Sequence, residues 1–396
     1  MRTNDLLNDN TCTGCFACSA ICPKGAIKQT CKKGCYYPVI DEYLCVNCGL
    51  CSKVCEGAKK NPLFGARNYI GLYCGSDEIR KESTSGGAFS MIAMRYLQSD
   101  GVVYGAAFSE DFSVKHIRCT DYNTLQRIRK SKYVQSDVSD VYEQITGDLL
   151  SGKDVLFSGM ACQCSGLKSY LQTKGIDDTG VLYIDLICHG VPSPVIWKEY
   201  INYRAEERHK NIKNIVFRDK TKSWKDFKLL VEYEDGKIRT FRQNEDYWLV
   251  LFFHNLILRE SCYTCRYARA ERVGDITLGD YWGVWEFSPE MYDDNGTSMI
   301  LVNTEKGKAY VDGILESAKY VYLNKEQAIK HQNNLKHPSA KDKRSDGFWA
   351  DYSEKGMEYC LKRYADATFF GKIKRRYIYS FLYKIGVYDL LLKLRG

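Results

Sequence analysis

The feature that most constrains this chain is a cysteine pattern that occurs twice near its N-terminus. The spacing Cys-x2-Cys-x2-Cys-x3-Cys begins at Cys12, where Pro23 follows the last cysteine, and occurs again from Cys45. Three closely spaced thiolates bind three iron corners of a 4Fe-4S cube, and where two such cubes lie together the fourth cysteine of each run binds the other one. The pattern therefore predicts two clusters, with the ligand sets Cys12, Cys15, Cys18, Cys55 and Cys45, Cys48, Cys51, Cys22.

A pair of zinc sites is the alternative for these eight cysteines. Zinc sites, however, usually use paired ligands separated by a longer loop. The segment resembles the bacterial dicluster ferredoxins, with one departure, since Glu56 stands where the first run has Pro23. We expect this departure to alter the local turn more than the ligation. Cys31 and Cys35 lie between the two runs and are expected to be free thiols.

Composition and charge limit the classes of partner. The 396 residues are 44% hydrophobic and 27% charged, which is typical of globular proteins and excludes wholesale disorder. The formal net charge is +8, and from Lys372 to Arg395 there are seven basic residues against one acid, Asp389. Because the rest of the chain is nearly neutral, a broad nucleic-acid-binding surface is not expected.

The C-terminal tail has two interpretations. Between Phe369 and Leu394, basic and apolar residues alternate at roughly helical intervals. This composition is typical of an interfacial helix that contacts an anionic membrane. The alternative is a helix packed on the protein body with its basic residues solvated. Gly371 and Gly386 weaken a single long helix under either interpretation.

The N-terminus and the longest apolar run predict a cytoplasmic protein. Met1 to Asn10 is polar and lacks the apolar region of a signal peptide. The longest apolar stretch, Tyr247 to Leu258, is shorter than a bilayer-spanning helix and contains His254. We therefore expect reduced thiols and a cytoplasmic location, with peripheral contact at the inner membrane face if the tail binds lipid.

After Gly65 the sequence changes from cysteine-rich turns to alternating strand and helix patterns. We expect strands at 102–108, 155–158 and 182–188, a helix from Pro194 to about His209, and a hairpin turning at Asp235-Gly236. The expected fold is a small α+β dicluster ferredoxin domain followed by a larger α/β domain with a mixed sheet. The expected domains are residues 1–64, 65–345 and, for a basic amphipathic helical tail, 346–396.

Several motifs in the larger domain resemble one family in both content and order. They are TSGGAF, SKYVQSD, LFSGMACQ, DLICHGVPSP, SCYTCRYA and RVGDITLGDYWG, and the resemblance that they carry covers nearly everything from about residue 68 to 340. This succession resembles the coenzyme F-420 hydrogenase/dehydrogenase beta-subunit family. The resemblance implies an iron-sulfur flavoprotein with a flavin, FAD being the expected form, and a further 4Fe-4S cluster beside it.

By motif matching, the resemblance implies four ligands for this third cluster: Cys162, Cys188, Cys262 and Cys265. Two of them follow predicted strands, where loops of α/β sheets commonly hold ligands. Cys164 is the rival to Cys162, and buried cysteines also occur as small hydrophobes. His189 either tunes this cluster or is an ordinary loop histidine. Cys74, Cys119 and Cys360 lack partner spacing and are expected to be structural.

A glycine-containing helix start is the candidate flavin contact. Ser85, Gly86 and Gly87 open a predicted helix, whose free N–H groups and positive dipole end would face a pyrophosphate. The alternative is an ordinary helix cap. Lys132 and Asp280 fall in two further segments, and the resemblance implies that these segments line the flavin cleft. The alternative is that Lys132 is a solvated lysine and Asp280 a turn aspartate.

The resemblance implies an oxidoreductase that moves electrons between the clusters and a hydride donor or acceptor, a deazaflavin or an unknown organic substrate, through the flavin. The electron partner would be a redox protein or that small molecule. The alternative is a non-catalytic electron-transfer subunit that docks a partner enzyme. A radical enzyme is disfavoured because its single three-cysteine signature is absent outside the ferredoxin runs.

Overall fold

The computed structural model describes residues 10–57, 60–367 and 370–371. Contacts within the chain group it into two compact units. Unit one comprises Met1–Val195, Val216–Phe227 and Leu258–Ser339, and unit two comprises Ile196–Ile215, Lys228–Ile257 and Ala340–Gly396. Every predicted site residue falls in unit one. The predicted domain boundaries stay predictions.

The strands and helices alternate through most of the chain. The strands are β1 (Ile27–Lys32), β2 (Cys35–Ile40), β3 (Asn68–Cys74), β4 (Val102–Phe108), β5 (Val114–Cys119), β6 (Val155–Met160), β7 (Val181–Leu186), β8 (Ile212–Asp219), β9 (Lys228–Tyr233), β10 (Ile238–Phe241), β11 (Ile276–Asp280), β12 (Ser298–Val302) and β13 (Ala318–Leu323). The helices are α1 (Ala17–Ala20), α2 (Leu50–Val54), α3 (Asp77–Lys81), α4 (Ala88–Gln98), α5 (Tyr122–Ile128), α6 (Val141–Leu150), α7 (Ala161–Lys174), α8 (Pro194–Arg208), α9 (Tyr247–Phe253), α10 (Val284–Phe287), α11 (Glu305–Leu315), α12 (Lys325–Ile329) and α13 (Ser345–Tyr364), with short 3-10 turns at Glu260–Thr264, Pro289–Met291 and Asn333–Leu335.

Unit one contains an eight-stranded sheet in the order β13-β3-β12-β11-β7-β6-β4-β5. The pairs β11–β7, β7–β6 and β6–β4 are parallel, and the other pairs are antiparallel. The expected α/β fold with a mixed sheet is thereby confirmed. The predicted strands at 102–108, 155–158 and 182–188 correspond to β4, β6 and β7, and the helix expected from Pro194 corresponds to α8.

The central strands form because their side chains are buried on both faces of the sheet. Strand β7 is almost entirely apolar, and its side chains enter two different cores. Val181 and Tyr183 pack in the core that contains residues of α6 and α7, whereas Leu182 and Ile184 pack with residues of α4 and α11. Helices on both faces are the arrangement that parallel strands require.

The cysteine-rich segment folds around one hairpin and two short helices. Strands β1 and β2 pair in antiparallel fashion, with Ile27 opposite Ile40. Helices α1 and α2 lie within the two cysteine runs and begin after residues of positive φ, Phe16 and Gly49. Ala17 and Val54 are fully buried in the core that includes α7. The segment therefore packs on one face of the large sheet, although a ferredoxin fold as such stays a prediction.

Unit two has its own polar and aromatic core. Arg204 of α8 donates to Asp246, and the hydroxyl of Tyr200 donates to the same carboxylate at 2.6 Å. Trp197 and Trp248 meet edge to face at 4.9 Å between ring centroids. The hairpin β9–β10 encloses the Asp235-Gly236 turn, as expected, and β8 is the third strand of that sheet.

The basic, amphipathic part of the predicted C-terminal tail, 369–394, lies almost entirely outside the described residues. Helix α13 covers the start of the expected tail domain, and the basic residues from Lys372 onward are not described. No helix within the described ranges is both long and apolar enough to cross a bilayer. The membrane contact of the tail stays a prediction.

Candidate redox centres

The carboxyl ends of three neighbouring strands lie at the same edge of the sheet. Leu186 of β7 is paired with Met160 of β6 and with Leu278 of β11, in parallel register on both sides. Cys162 lies two residues after Met160, and Cys188 lies two residues after Leu186. The topology therefore places both cysteines at one edge, as the sequence predicts for loops that follow strands.

The four thiols proposed for the third cluster are neighbours. Burial raises the pKa of the Cys162 thiol, and the nearby thiols of Cys265, Cys188 and Cys262 raise it further. Burial and Cys265 likewise raise the pKa of Cys188 to about 12. Cys164 differs, because its fully buried thiol points at the carbonyl of Ile184 at 3.7 Å. Of the two rivals, Cys162 is the one that lies among the other three thiols.

The first ferredoxin set is also assembled. Burial raises the pKa of Cys15 to about 12, with further contributions from the nearby Cys12 and Cys55. Burial likewise raises the pKa of Cys18 well above its ordinary value, and Cys15, Cys12 and Cys55 act in the same direction. Cys55, from the second run, therefore lies with the first three cysteines of the first run. The exchange of fourth ligands between two clusters stays a prediction.

The second ferredoxin set lines a cavity of about 210 Å³. All four of its predicted cysteines contribute to the wall, among them Cys22 from the first run. Cys48 is exposed, and the other three thiols are partly buried. This set therefore lies closest to solvent, whereas Cys12, Cys18 and Cys55 of the first set are buried.

The first set lies between the other two. Cys51 of the second set is close enough to Cys18 to raise the pKa of its thiol, and Cys15 has the same effect on the pKa of Cys162 of the third set. Cys15 can approach α7 closely because Gly166 of that helix has no side chain. A Cβ at Gly166 would lie 3.0 Å from the Sγ of Cys15. Three sets of thiols are thus arranged in a row.

Within the part of the chain that the structure describes, no three His, Cys, Asp or Glu side chains are placed as the ligands of a single metal ion. The choice between iron-sulfur clusters and zinc for these cysteines stays a prediction.

Glu56 is a site residue whose role the sequence did not indicate. Its buried carboxylate accepts hydrogen bonds from the Tyr267 hydroxyl at 2.6 Å and from Arg266 at 2.8 Å. The side-chain amide of Asn61 donates to it at 3.0 Å. Because Glu56 follows Cys55 and Arg266 follows Cys265, the carboxylate connects the first set to the third. The expectation that Glu56 alters the local turn more than the ligation stays a prediction.

The predicted flavin segment at Ser85, Gly86 and Gly87 packs against strands of the large sheet. Ser85 donates through its hydroxyl to the carbonyl of Thr297 at 2.8 Å. Gly87 has a φ of 94° and precedes the first turn of α4. A Cβ at Gly86 would overlap the carbonyl oxygen of Leu72. The absence of a side chain at Gly86 therefore serves packing against the sheet, which the sequence alone did not indicate.

Lys132 is held by its own loop. Its ammonium group donates to the carbonyls of Arg127, Arg129 and Lys130 at 2.8, 2.6 and 3.1 Å. Burial lowers the pKa of Lys132 to about 7, and the neighbouring cations act in the same direction. The side chain therefore shapes the loop after α5, and its predicted contact with a flavin stays a prediction.

Asp280 ends β11 and anchors one side chain from the end of β8 and one from the segment that follows it. Arg218 donates to its carboxylate at 2.9 Å, and the indole N–H of Trp224 donates at 3.0 Å. Arg218 is only 4% exposed, and its Nε and Nη2 have no hydrogen-bond partner among the described residues. Buried guanidinium N–H groups of this kind suit an anionic or carbonyl-bearing ligand.

Lys220 joins the same segment to the start of α4. Its ammonium group donates to the backbone carbonyls of Ser85 at 3.0 Å and Asn295 at 2.5 Å. Burial lowers the pKa of Lys220 to about 7, and the nearby cations Arg80 and Arg218 contribute to this decrease. The sequence offered one unused signal for Arg218 and Lys220, the two basic residues of FRDK at the end of β8.

His189 lies in the loop after β7, next to Cys188. The hydroxyl of Ser339 donates to its carbonyl oxygen at 2.5 Å and lies 3.5 Å from its Nδ1. Ser339 therefore fixes the backbone of the loop. A role for His189 in tuning the cluster or moving protons stays a prediction.

Comparisons with known proteins agree with the motifs. The family model for the C terminus of the coenzyme F420 hydrogenase/dehydrogenase beta subunit matches residues 152–328. The chain is 24% identical over 399 residues to the coenzyme F420-dependent sulfite reductase of Methanocaldococcus jannaschii, covering 95% of this chain and 57% of that protein. The match to a subunit of the F(420)H(2) dehydrogenase of Methanosarcina mazei is 22% identical over 333 residues, covering 78% of this chain and 83% of that protein.

Among solved structures, a chain of the F420-reducing [NiFe] hydrogenase complex of Methanosarcina barkeri is similar to this one. The TM-score is 0.47 at 16% identity, covering 70% of this chain and 93% of that chain. The present chain spans little more than half the length of the sulfite reductase that it matches.

Proposed function

Because residues 152–328 belong to the coenzyme F420 hydrogenase/dehydrogenase beta-subunit family, we propose that this chain is an iron-sulfur flavoprotein oxidoreductase. It moves electrons between ferredoxin-type 4Fe-4S clusters and a hydride donor or acceptor. The names of its relatives favour coenzyme F420, a deazaflavin, as that partner. An F420-linked redox reaction is the general proposal, and the flavin and the three clusters are the more specific one.

The row of three cysteine sets is the observation that carries this proposal. The second set is open to solvent, and the third lies at the carboxyl edge of the large sheet. The first set adjoins both of them. Its Cys18 lies near Cys51 of the second set, and its Cys15 lies near Cys162 of the third set. Such a row suits one-electron transfer between the surface of the ferredoxin segment and a site beside the sheet.

The residues that would hold a flavin lie at the same end of the sheet as the third set. When bound, the flavin would exchange two electrons with a hydride partner and single electrons with the clusters. Lys220 and the start of α4 would face its anionic part, because each provides positive potential beside Ser85. The buried Nε and Nη2 of Arg218 would be available to donate hydrogen bonds to the flavin, and Asp280 holds the guanidinium in position.

The test is anaerobic purification followed by analysis of iron, sulfide and flavin, with the released flavin identified as FAD or FMN. Reduced F420 would then be mixed with the protein and a one-electron viologen acceptor. The proposal predicts F420 oxidation that depends on bound flavin. Oxidation at the same rate without flavin would contradict it.

A non-catalytic electron-transfer subunit is the second candidate. The solvent-exposed second set favours it as a docking point for a redox protein, and one relative is named as a subunit of a dehydrogenase. This function requires the row of clusters but no flavin. A protein that holds its iron but binds no flavin would support it.

A further inference from the structure

Arg259 connects the loops of the third cysteine set to the first set. Its backbone N–H donates to the carbonyl of Val191 at 2.9 Å, and its own carbonyl accepts from the N–H of Cys262 at 2.9 Å. Its side chain is only 1% exposed. The backbone of Arg259 is thus fixed beside the third set while its guanidinium is buried in the cysteine-rich segment.

The guanidinium contacts a predicted cluster ligand directly. Its Nη2 donates to the Sγ of Cys12 at 3.2 Å, and its Nε donates to the carbonyl oxygen of the same residue at 2.7 Å. Nη1 donates to the carbonyl of Tyr36 at 2.9 Å. A Cβ at Gly14 would lie 2.8 Å from Nη1, so the run approaches the guanidinium closely only because that residue is glycine.

The position of Arg259 favours a permanent positive charge beside the first set. A guanidinium cannot be deprotonated in a protein, so Arg259 keeps its charge beside Cys12 at any accessible pH. The ring of Tyr37 lies 4.1 Å from the guanidinium carbon, which adds a cation–π contact. The side chain is therefore a fixed cation with N–H groups directed at sulfur.

Reduction of a 4Fe-4S cluster adds one negative charge to it. A buried site disfavours that charge, because water no longer solvates it. A neighbouring cation and N–H···S hydrogen bonds favour the reduced form and raise the reduction potential. The first set is more buried than the second, and it is the one that Arg259 contacts.

We propose that Arg259 is a positioning residue that raises the reduction potential of the cluster bound by Cys12, Cys15, Cys18 and Cys55. The middle cluster can then accept an electron from either neighbour without a large uphill step. This inference rests on the proposed function, because it requires that the first set holds a cluster.

Anaerobic redox titration of the complete protein, followed by electron paramagnetic resonance, tests this role. In Arg259→Met we expect the midpoint potential of one cluster to become more negative. The shift should correspond to a tenfold or greater change in the reduction equilibrium, which is about 59 mV for a one-electron couple. Arg259→Lys keeps the charge but loses the planar fork, so its shift should have the same direction and be smaller.

Lys33→Gln is the charge-matched control. Lys33 pairs with Glu260, the neighbour of Arg259, and is partly exposed, so its loss removes a nearby cation without removing the contact to Cys12. We expect its midpoints to match those of the wild type. Equal shifts in Lys33→Gln and Arg259→Met would overturn the proposal, because they would reflect net charge alone.

Two further outcomes complete the test. If Arg259→Met loses iron, the test relies on Arg259→Lys. Midpoint potentials in Arg259→Lys that equal those of the wild type would then overturn the proposal. The iron content of the wild type separates this inference from the proposed function. A wild type with its full iron content and no shift in either arginine variant contradicts only the role of Arg259, whereas a wild type without a first cluster contradicts the proposed function itself.

Discussion

The hydroxyl of Tyr267 donates a hydrogen bond of 2.6 Å to the carboxylate of Glu56. The two residues are 211 positions apart in sequence. Glu56 directly follows the last cysteine of the first set, and Tyr267 lies two residues after Cys265 of the third set. The contact therefore fixes the spacing between two predicted clusters as well as the packing of the cysteine-rich segment.

Replacing Glu56 by Ala should destabilise the protein. Arg266, Asn61 and the Tyr267 hydroxyl would all lose their carboxylate partner. We expect the free energy of unfolding to decrease by about 3 kcal/mol, which is the lower end of the range for a broken buried ion pair. The lower end applies because Arg266 is partly exposed to solvent. Anaerobic denaturant unfolding measures it. Glu305→Gln, which removes an exposed pair with Arg67, should cost less than about 1 kcal/mol, and equal losses in both variants would refute the role of Glu56.

A methyl group at Gly166 should separate the first and third sets. The Cβ in Gly166→Ala would meet the Cβ of Cys15 at 2.8 Å, and overpacking of this kind costs about 1–3 kcal/mol. Gly147→Ala is the matched control, since Gly147 is exposed on α6 and its Cβ would meet nothing within 4 Å. The control should gain about 0.5–1 kcal/mol. Stabilisation of both variants to the same degree would show that the close approach is unimportant.

Lys220→Met should weaken flavin binding about tenfold or more, a loss of at least about 1.4 kcal/mol. The substitution removes the buried cation that bonds the carbonyl of Ser85. Lys222→Met removes an exposed cation from the same segment and should leave flavin affinity unchanged. Flavin content after gel filtration and a fluorescence titration of the apoprotein provide the measurement. If both variants retain flavin like the wild type, Lys220 does not contribute to the site.

His116 should make stability depend on pH below neutrality. Its ring is buried against Phe157, its Nε2 lies 2.9 Å from the carbonyl oxygen of Ser158, and burial lowers its pKa to about 4. Because the folded-state pKa lies below the ordinary value of 6.5, the unfolded chain takes up a proton first as the pH falls. Stability should therefore fall by about 2 kcal/mol between about pH 7 and about pH 5.

The comparison variant for this prediction is His116→Gln. It keeps a side-chain donor for Ser158 but does not titrate. Its unfolding free energy should fall less than that of the wild type over the same interval. Parallel pH profiles for the two proteins would mean that His116 is not the titrating group.

The sequence predicted the structural elements that depend on local spacing, and the cluster-binding role of the cysteines stays a prediction. The two cysteine runs, strands β4, β6 and β7 and the turn at Asp235-Gly236 each have a pattern within a few neighbouring residues. The larger α/β fold followed from the alternation of these patterns. The grouping of Cys162 and Cys188 followed from the rule that loops after parallel strands share one edge.

Residues whose partners are distant in sequence could not be predicted. Arg259 contacts Cys12 across 247 positions, and Lys220 contacts Ser85 across 135. No local pattern identifies the partner of either residue, because only the folded chain brings that partner within reach. Gly86 shows the converse limit, since its pattern suggested a ligand contact and the structure places the carbonyl of Leu72 where a Cβ would lie.

The iron content of the anaerobically purified protein tests the central claim most directly. Three cubes of four irons predict about twelve irons per chain. Cys262→Ser should remove about a third of that iron, and Cys31→Ser, which changes an exposed cysteine outside the three sets, should remove none. A wild-type content that saturates near about eight irons in intact protein would contradict the third cluster, and with it the row of redox centres on which the proposed function rests.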